Sequence, residues 1–148
     1  TKKNGWTLTI IGNGSLKNKL IAKYGKEPDI FFKDFLQPND LVKEMDNAGV
    51  FCLPSNYEPW GVVIQEFAAA GLPIIASNAC GAASVFVKIN YNGLLFKNGH
   101  LGNLQEKLEI LFKKNIKELQ EWSINSHLLS NCLKVEMYSS NFFQFIKN

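Results

Sequence analysis

Apolar and polar positions along the chain follow two periods in turn. Trp6 to Ile11 interleaves Thr7 and Thr9 with apolar residues and ends in Gly12-Asn13-Gly14, the pattern of a strand running into a turn. From about Ser15 to Tyr24, Leu16, Leu20 and Ile21 recur at helical spacing. Asp29 to Asp34 predicts a short strand, and Pro38-Asn39-Asp40 opens a helix to about Asn47. Gly49 to Leu53 is an unbroken apolar run closed by Pro54, which reads as a buried strand. A helix follows it, with Pro59 fitting the first helical position and Gly71 followed by Pro73 marking the end. Pro73 to Ser77 predicts a fourth strand, and Asn92-Gly93-Leu94-Leu95-Phe96 a turn and a further strand. The remainder is helical in three stripes: Leu101, Leu104, Leu108 and Leu111; Ile116, Leu119, Trp122 and Leu129; Val135, Tyr138, Phe142, Phe145 and Ile146. Strands alternating with helices predict an α/β fold with a parallel sheet, helices on both faces and a helical C-terminal tail.

Composition narrows the class. A chain of 148 residues with 46% hydrophobic and 20% charged residues has the makeup of one soluble globular domain with a single core. It divides in this reading into a sheet-bearing core, residues 1–100, and a helical tail, residues 101–148. The net charge of +3 is mild and its basic residues are scattered, so nucleic acid is not called for. All sixteen basic residues are Lys, so this chain brings no guanidinium fork to a phosphate. Cys52, Cys80 and Cys132 show no metal-site spacing, and a reduced cytosolic setting is favoured. His100 and His127 are isolated and read as surface or satisfied histidines. No stretch approaches the ~20 apolar residues of a membrane span, and no signal peptide is expected from this reading. The chain enters a strand almost at once after Thr1, which reads as a piece of something longer.

The chemistry concentrates between Ser55 and Gly71. A strand, a loop and a helix start in succession are where α/β proteins bind phosphates. The helix is apolar nearly all round, through Val62, Val63, Ile64, Phe67 and three alanines, which predicts a buried helix. Glu66 is out of place on such a helix unless something holds it. Glu58 stands at the entrance, beside the free amides of Trp60, Gly61 and Val62, and Gly61 lets a ligand approach the backbone closely. Eight residues at about 1.5 Å each place the two carboxylates roughly 12 Å apart along the helix. That span suits a nucleotide sugar, with the diphosphate at the amides, a sugar hydroxyl at Glu58 and a ribose diol at Glu66. The alternative from spacing alone is a Glu58 that caps the helix and a Glu66 that reaches solvent. Gly12-Asn13-Gly14 invites a dinucleotide-fold reading, which is set aside. Lys17 stands where the third glycine belongs, and no acidic residue is expected at the end of a second strand as that fold wants.

Pro54-Ser55, Glu58-Pro59-Trp60-Gly61 and the run from Glu66-Phe67-Ala68-Ala69-Ala70-Gly71 through Leu72-Pro73-Ile74-Ile75-Ala76-Ser77 resemble a known block. It is the donor-site block, with its Glu-x7-Glu signature, of the retaining GT-B glycosyltransferases, the glycosyl transferases group 1 (glycogen-synthase-like) family. The resemblance runs from Trp6 to about Phe112 and implies the C-terminal, donor-binding domain, a Rossmann-like half of a two-domain enzyme. It implies that the acceptor-binding domain, and the first strand and helix of this one, lie outside the chain. That missing segment normally brings an Arg and a Lys to the diphosphate, and the last helix normally packs across the other domain.

The resemblance also implies site roles. Glu58 would contact a donor-sugar hydroxyl and Glu66 the ribose, with the backbone of Trp60, Gly61, Val62 and Val63 toward the diphosphate or sugar. Gly12, Gly14, Phe35 and Leu36 would line the base side, although Asp34 stands where the family often has Gly. Gly81 and Ala82 would carry backbone amides to the sugar in a loop the family usually writes Gly-Gly-x-x-Glu. Here Ala82 replaces the second Gly and Val85 the acidic residue.

The implied activity is transfer of a sugar, with retention and without a bound metal or other cofactor, from a UDP-, GDP- or ADP-sugar. The acceptor would be a glycan or lipid-linked molecule in surface polysaccharide or lipopolysaccharide biosynthesis. Cytoplasmic residence is implied, with peripheral association of the parent protein at the inner face of the plasma membrane as an allowed setting. The 148 residues alone are expected to be inactive. Two rivals stay open: a nucleotide-sugar epimerase or phosphorylase of the same architecture, and a non-catalytic binding or assembly domain, which the altered Gly81 to Val85 loop favours.

Overall fold

The computed structural model describes residues 5–131. They fall into two compact units, one ending at Asn47 and one beginning at Ala48. In the first, β1 (Leu8–Ile11) and β2 (Ile30–Lys33) pair in parallel, with Leu8 opposite Ile30 and Ile11 opposite Lys33. Helix α1 (Lys17–Tyr24) makes the crossover between them and α2 (Pro38–Asp46) follows β2. Pro38 sits at the start of α2 behind an extended Gln37, where its missing N–H costs nothing, and Asp40 faces the positive end of that helix.

The second unit carries β3 (Phe51–Leu53), β4 (Ile74–Ser77) and β5 (Gly93–Phe96) in that spatial order, all parallel. The central strand β4 is buried at every residue, as its unbroken apolar sequence requires. Helices α3 (Val62–Ala69), α4 (Ala83–Phe86), α5 (Leu101–Phe112) and α6 (Ile116–Asn131) complete the unit. Its core gathers Ile64, Ala68, Ile74, Ala76, Cys80, Ala82, Ala83, Phe86 and Val87. Phe51 stacks on Phe67 with ring centroids 3.8 Å apart, joining β3 to α3. Gly93 is obligatory at its place in β5, because a Cβ there would collide with the Ile74 carbonyl of the neighbouring strand.

Helix α3 ends in a Schellman motif. Gly71, with φ +78°, donates to the Ala68 carbonyl at 2.9 Å, and Leu72 to the Phe67 carbonyl at 3.0 Å. Helix α6 then meets that end through polar groups: Ser123 Oγ donates to Gly71 O at 2.5 Å, and His127 Nδ1 lies 2.8 Å from Ala69 O. Asn92, fully buried, donates to Phe86 O and to Ser126 Oγ and accepts from the Lys88 N–H, so its amide is satisfied. The Asn-Gly pair is thus more than a turn signal: its asparagine fastens α6 to the start of β5.

The fold is α/β and Rossmann-like, with a helical C-terminal region. The order of elements agrees with the reading from periodicity except at Ala83–Phe86, read as part of a loop and found as α4, and two further details differ. The strands form two parallel sheets, one in each unit, instead of a single ladder. Leu101 and Ile116, the first residues of their expected stripes, are exposed, whereas Leu111 and Trp122 are buried. His100 is exposed and satisfied, as read from the sequence: its Nδ1 accepts from the Asn103 N–H and caps α5. The third stripe, Val135 to Ile146, and Cys132 lie outside the described residues. Among those residues no helix is long and apolar enough to cross a membrane, and no group of three or more His, Cys, Asp or Glu could hold a metal.

Candidate functional site

The loop after β3 does not run directly into α3. Glu58 forms a parallel bridge with Cys80, in the loop that follows β4. Three backbone bonds make the join: Glu58 N to Ala79 O at 3.2 Å, Gly81 N to Glu58 O at 3.1 Å, and Ala82 N to Trp60 O at 2.7 Å. These bonds correct the placement of Pro59. With Glu58 and Trp60 engaged sideways, the helix starts only after a turn, and Gly61 makes that turn as N-cap with φ 88° and ψ 62°. The first residue of α3 is Val62.

Glycine serves a second purpose at this position. A Cβ on Gly61 would stand 3.0 Å from Glu58 Cγ, so the bare Cα is what lets the Glu58 side chain lie over the helix start. Glu58 is half-buried and its carboxylate has no hydrogen-bond partner among the described residues. Nor do the amides of Trp60, Gly61, Val62 and Val63 find an acceptor there. An unpaired acceptor therefore stands beside a set of unpaired donors at the positive end of a helix dipole. Burial, followed by the charge of Glu58, pushes the Cys80 thiol up, against hydrogen bonds to Ser55 and Ser77. Burial in β3 pushes Cys52 up to about 11. Both thiols stay protonated near neutral pH and pack as small apolar groups.

The helix is not buried all round. Ile64, Phe67 and Ala68 face the core, while Val62, Glu66 and Ala69, spaced i, i+4 and i+7, form an open face. Composition hid this amphipathic division because apolar Val62 and Ala69 stand on the open face. Glu66 is exposed and has no ion-pair partner among the described residues. The 12 Å ruler fails too, since Glu58 precedes the helix; only Val62 to Glu66 is helical, a rise of about 6 Å.

The Gly81–Ala82 loop also differs from its expected use. Its two amides are not free to meet a ligand, because they donate to Glu58 and Trp60. Gly81 is where it is because a Cβ would collide with the Pro59 carbonyl. Their contribution is to hold the Glu58 loop. Ser84 Oγ closes this loop on Gly81 O at 2.8 Å, and Val85 is exposed.

In the first unit, Gly12 has φ +141° and donates to Lys33 O at 3.1 Å, and Gly14 O accepts from Lys17 N at 3.0 Å. Lys17 Nζ reaches Asn13 Oδ1 at 3.0 Å and Asp34 Oδ1 at 2.5 Å. One lysine thereby joins the glycine loop to the residues after β2. An acidic residue does follow the second strand, contrary to expectation, and it is engaged by Lys17. Phe35 is exposed and Leu36 half-buried. The structure thus gathers Gly12, Gly14 and the Asp34–Leu36 segment in one unit, and Glu58, Trp60–Val63, Glu66, Gly81 and Ala82 in the other.

Comparison with known proteins follows the same lines. Residues 1–127 match the family described as glycosyl transferases group 1. Glycogen synthase of Mycobacterium tuberculosis is 36% identical over 86 residues, covering 56% of this chain and 21% of the relative. An uncharacterized glycosyltransferase of Haemophilus influenzae is 30% identical over 135 residues, covering 88% of this chain and 37% of the relative. The chain therefore spans about a fifth to two fifths of the length of these curated relatives. Among solved structures, Anabaena Alr3699/HepE in complex with UDP-glucose superposes with a TM-score of 0.74 at 20% identity, covering 95% of this chain and 40% of HepE.

Proposed function

The chain belongs to the glycosyl transferases group 1 family, and from that premise we propose that its second unit binds a nucleotide-diphosphate-sugar donor for retaining glycosyl transfer by the parent protein. The observation that carries this reading is the pairing of unpaired donors and acceptors at the start of α3. The amides of Trp60 to Val63 lie at the positive helix end, Glu58 beside them, and Glu66 on the open face one helical turn along. Amides and helix dipole suit the charge that grows on a departing diphosphate. Glu58 takes a donor-sugar hydroxyl, as its unpartnered acceptor oxygens and its packing over Gly61 suggest. Glu66 takes the ribose diol, since a rise of about 6 Å from the first helical residue is the scale of a diphosphate-to-ribose step. Neither acts as a general base.

The UDP-glucose held by HepE supports a nucleotide sugar as the substrate class. Transfer to a glycan or lipid-linked acceptor in surface polysaccharide or lipopolysaccharide assembly, at the cytoplasmic side, completes the reading. The test is the stereochemistry of the product made by the parent protein, read by proton NMR. Retention predicts the anomeric configuration of the donor; an inverted linkage overturns the retaining assignment.

A second reading has its own observation. The inward-turned amides of Gly81 and Ala82 and the apolar Val85 favour a donor-binding domain without catalysis. Nucleotide binding by the parent protein with no turnover on any acceptor would decide for it.

A further inference from the structure

We propose that Asn98 is a positioning residue for the Glu58 loop, fastening together the three loops that leave the C-terminal edge of β3, β4 and β5. The proposal rests on the reading of that loop as part of the donor site. Loops at this edge of a parallel sheet form the ligand crevice of α/β proteins, and they are the mobile parts of the fold unless something ties them down.

Asn98 makes the tie twice. Its side-chain Nδ2 donates to the Asn56 carbonyl at 2.6 Å, in the loop after β3. Its backbone N–H donates to Asn78 Oδ1 at 2.9 Å, in the loop after β4. Asn78 in turn donates its own N–H to Phe96 O, the last residue of β5, at 3.0 Å. Asn56 and Asn78 each stand two residues ahead of the bridged pair, Glu58 and Cys80. The bridge is therefore held upstream on both of its strands by one residue. All three asparagines are exposed, so these bonds bury no apolar surface, and what they add is geometry. The amides of Glu58, Gly81 and Ala82, which close the bridge, are direct reporters of whether the loop stays attached.

The experiment uses the full-length parent protein with Asn98→Ala and Asn98→Asp, neither of which can donate a side-chain hydrogen bond to Asn56. Amide hydrogen exchange is followed at Glu58, Gly81 and Ala82, with β4 and α6 as internal references. Loss of one tie is expected to speed exchange at the three reporters about tenfold while the references keep wild-type rates. Affinity for whichever of UDP-, GDP- and ADP-glucose the wild type binds should fall by about the same factor, with the melting temperature unchanged. Unchanged exchange at the reporters overturns the positioning role. Faster exchange with undiminished affinity overturns its connection to donor binding. A wild-type protein that binds none of the three overturns the proposed function and that connection with it, while the exchange rates still decide whether Asn98 ties the loop.

Discussion

The glycines of the two candidate site loops, and Gly93 beside the second, are held to their identity by different things. At Gly81 and Gly93, in the second unit, an added Cβ would strike a backbone carbonyl, and at Gly61 it would press on Glu58. At Gly12 and Gly14, in the first unit, a Cβ would meet nothing within 4 Å. The second-unit loop is thus fixed by packing and by three backbone bonds, whereas the first-unit glycine loop is held by backbone conformation at Gly12 and by the side chain of Lys17. A tightly interlocked loop keeps a carboxylate and a row of amides in place without a ligand present. An open one leaves room for something to come close.

Substitutions at these glycines sharpen the contrast. The largest effect is expected for Gly81→Ala, because the atom that must give way is backbone. Overpacking of this kind costs about 3 kcal/mol, and with the loop displaced nucleotide binding should be lost. Urea unfolding and calorimetry read the two effects, and a variant that melts and binds as the wild type would show the loop to be freer than described. Gly61→Ala comes next, at about 1–2 kcal/mol for a left-handed residue. Here the carboxylate of Glu58 is pushed aside, so the added affinity of a nucleotide sugar over the bare nucleotide should disappear while nucleotide binding persists. Gly14→Ala should have the smallest effect. Its φ is not positive and its surroundings are empty, so stability should move by no more than about 0.5 kcal/mol. A melting temperature several degrees lower would mean that the first-unit loop is packed after all.

Much of this architecture was legible in the sequence, for physical reasons that also mark where legibility ended. Strands β3, β4 and β5 are apolar runs with turn residues at their ends, and each was found where expected. The Ser55–Gly71 stretch stands out because glycine, proline and glutamate in an apolar setting each demand a reason, while its reading as a donor block rests on the resemblance to the family. Pro59 misled because a fixed φ near −65° suits a turn as well as a first helical position, and only the bridge to Cys80 decides between them. The open face of α3 was invisible because hydrophobicity alone does not separate alanine facing water from alanine facing a core. Lys17 with Asp34, His100 capping α5, and the ties of Asn92 and Asn98 share one property. Each is a polar side chain meeting a group remote in sequence or turned toward its own backbone, and no periodicity encodes such a pairing. The nearest signal was the lysine itself, standing where a third glycine was wanted.

Glu66 separates the account from a purely structural one most cleanly, because it is exposed and has no ion-pair partner among the described residues. The measurement is calorimetric titration of UDP, GDP and ADP into the full-length parent protein and into its Glu66→Ala variant, alongside thermal melts of both. The account predicts that one nucleotide binds the wild type, that the variant loses this binding, and that stability changes by less than about 0.5 kcal/mol. Equal affinity in the variant, or no binding of any of the three nucleotides to the wild type, would contradict it.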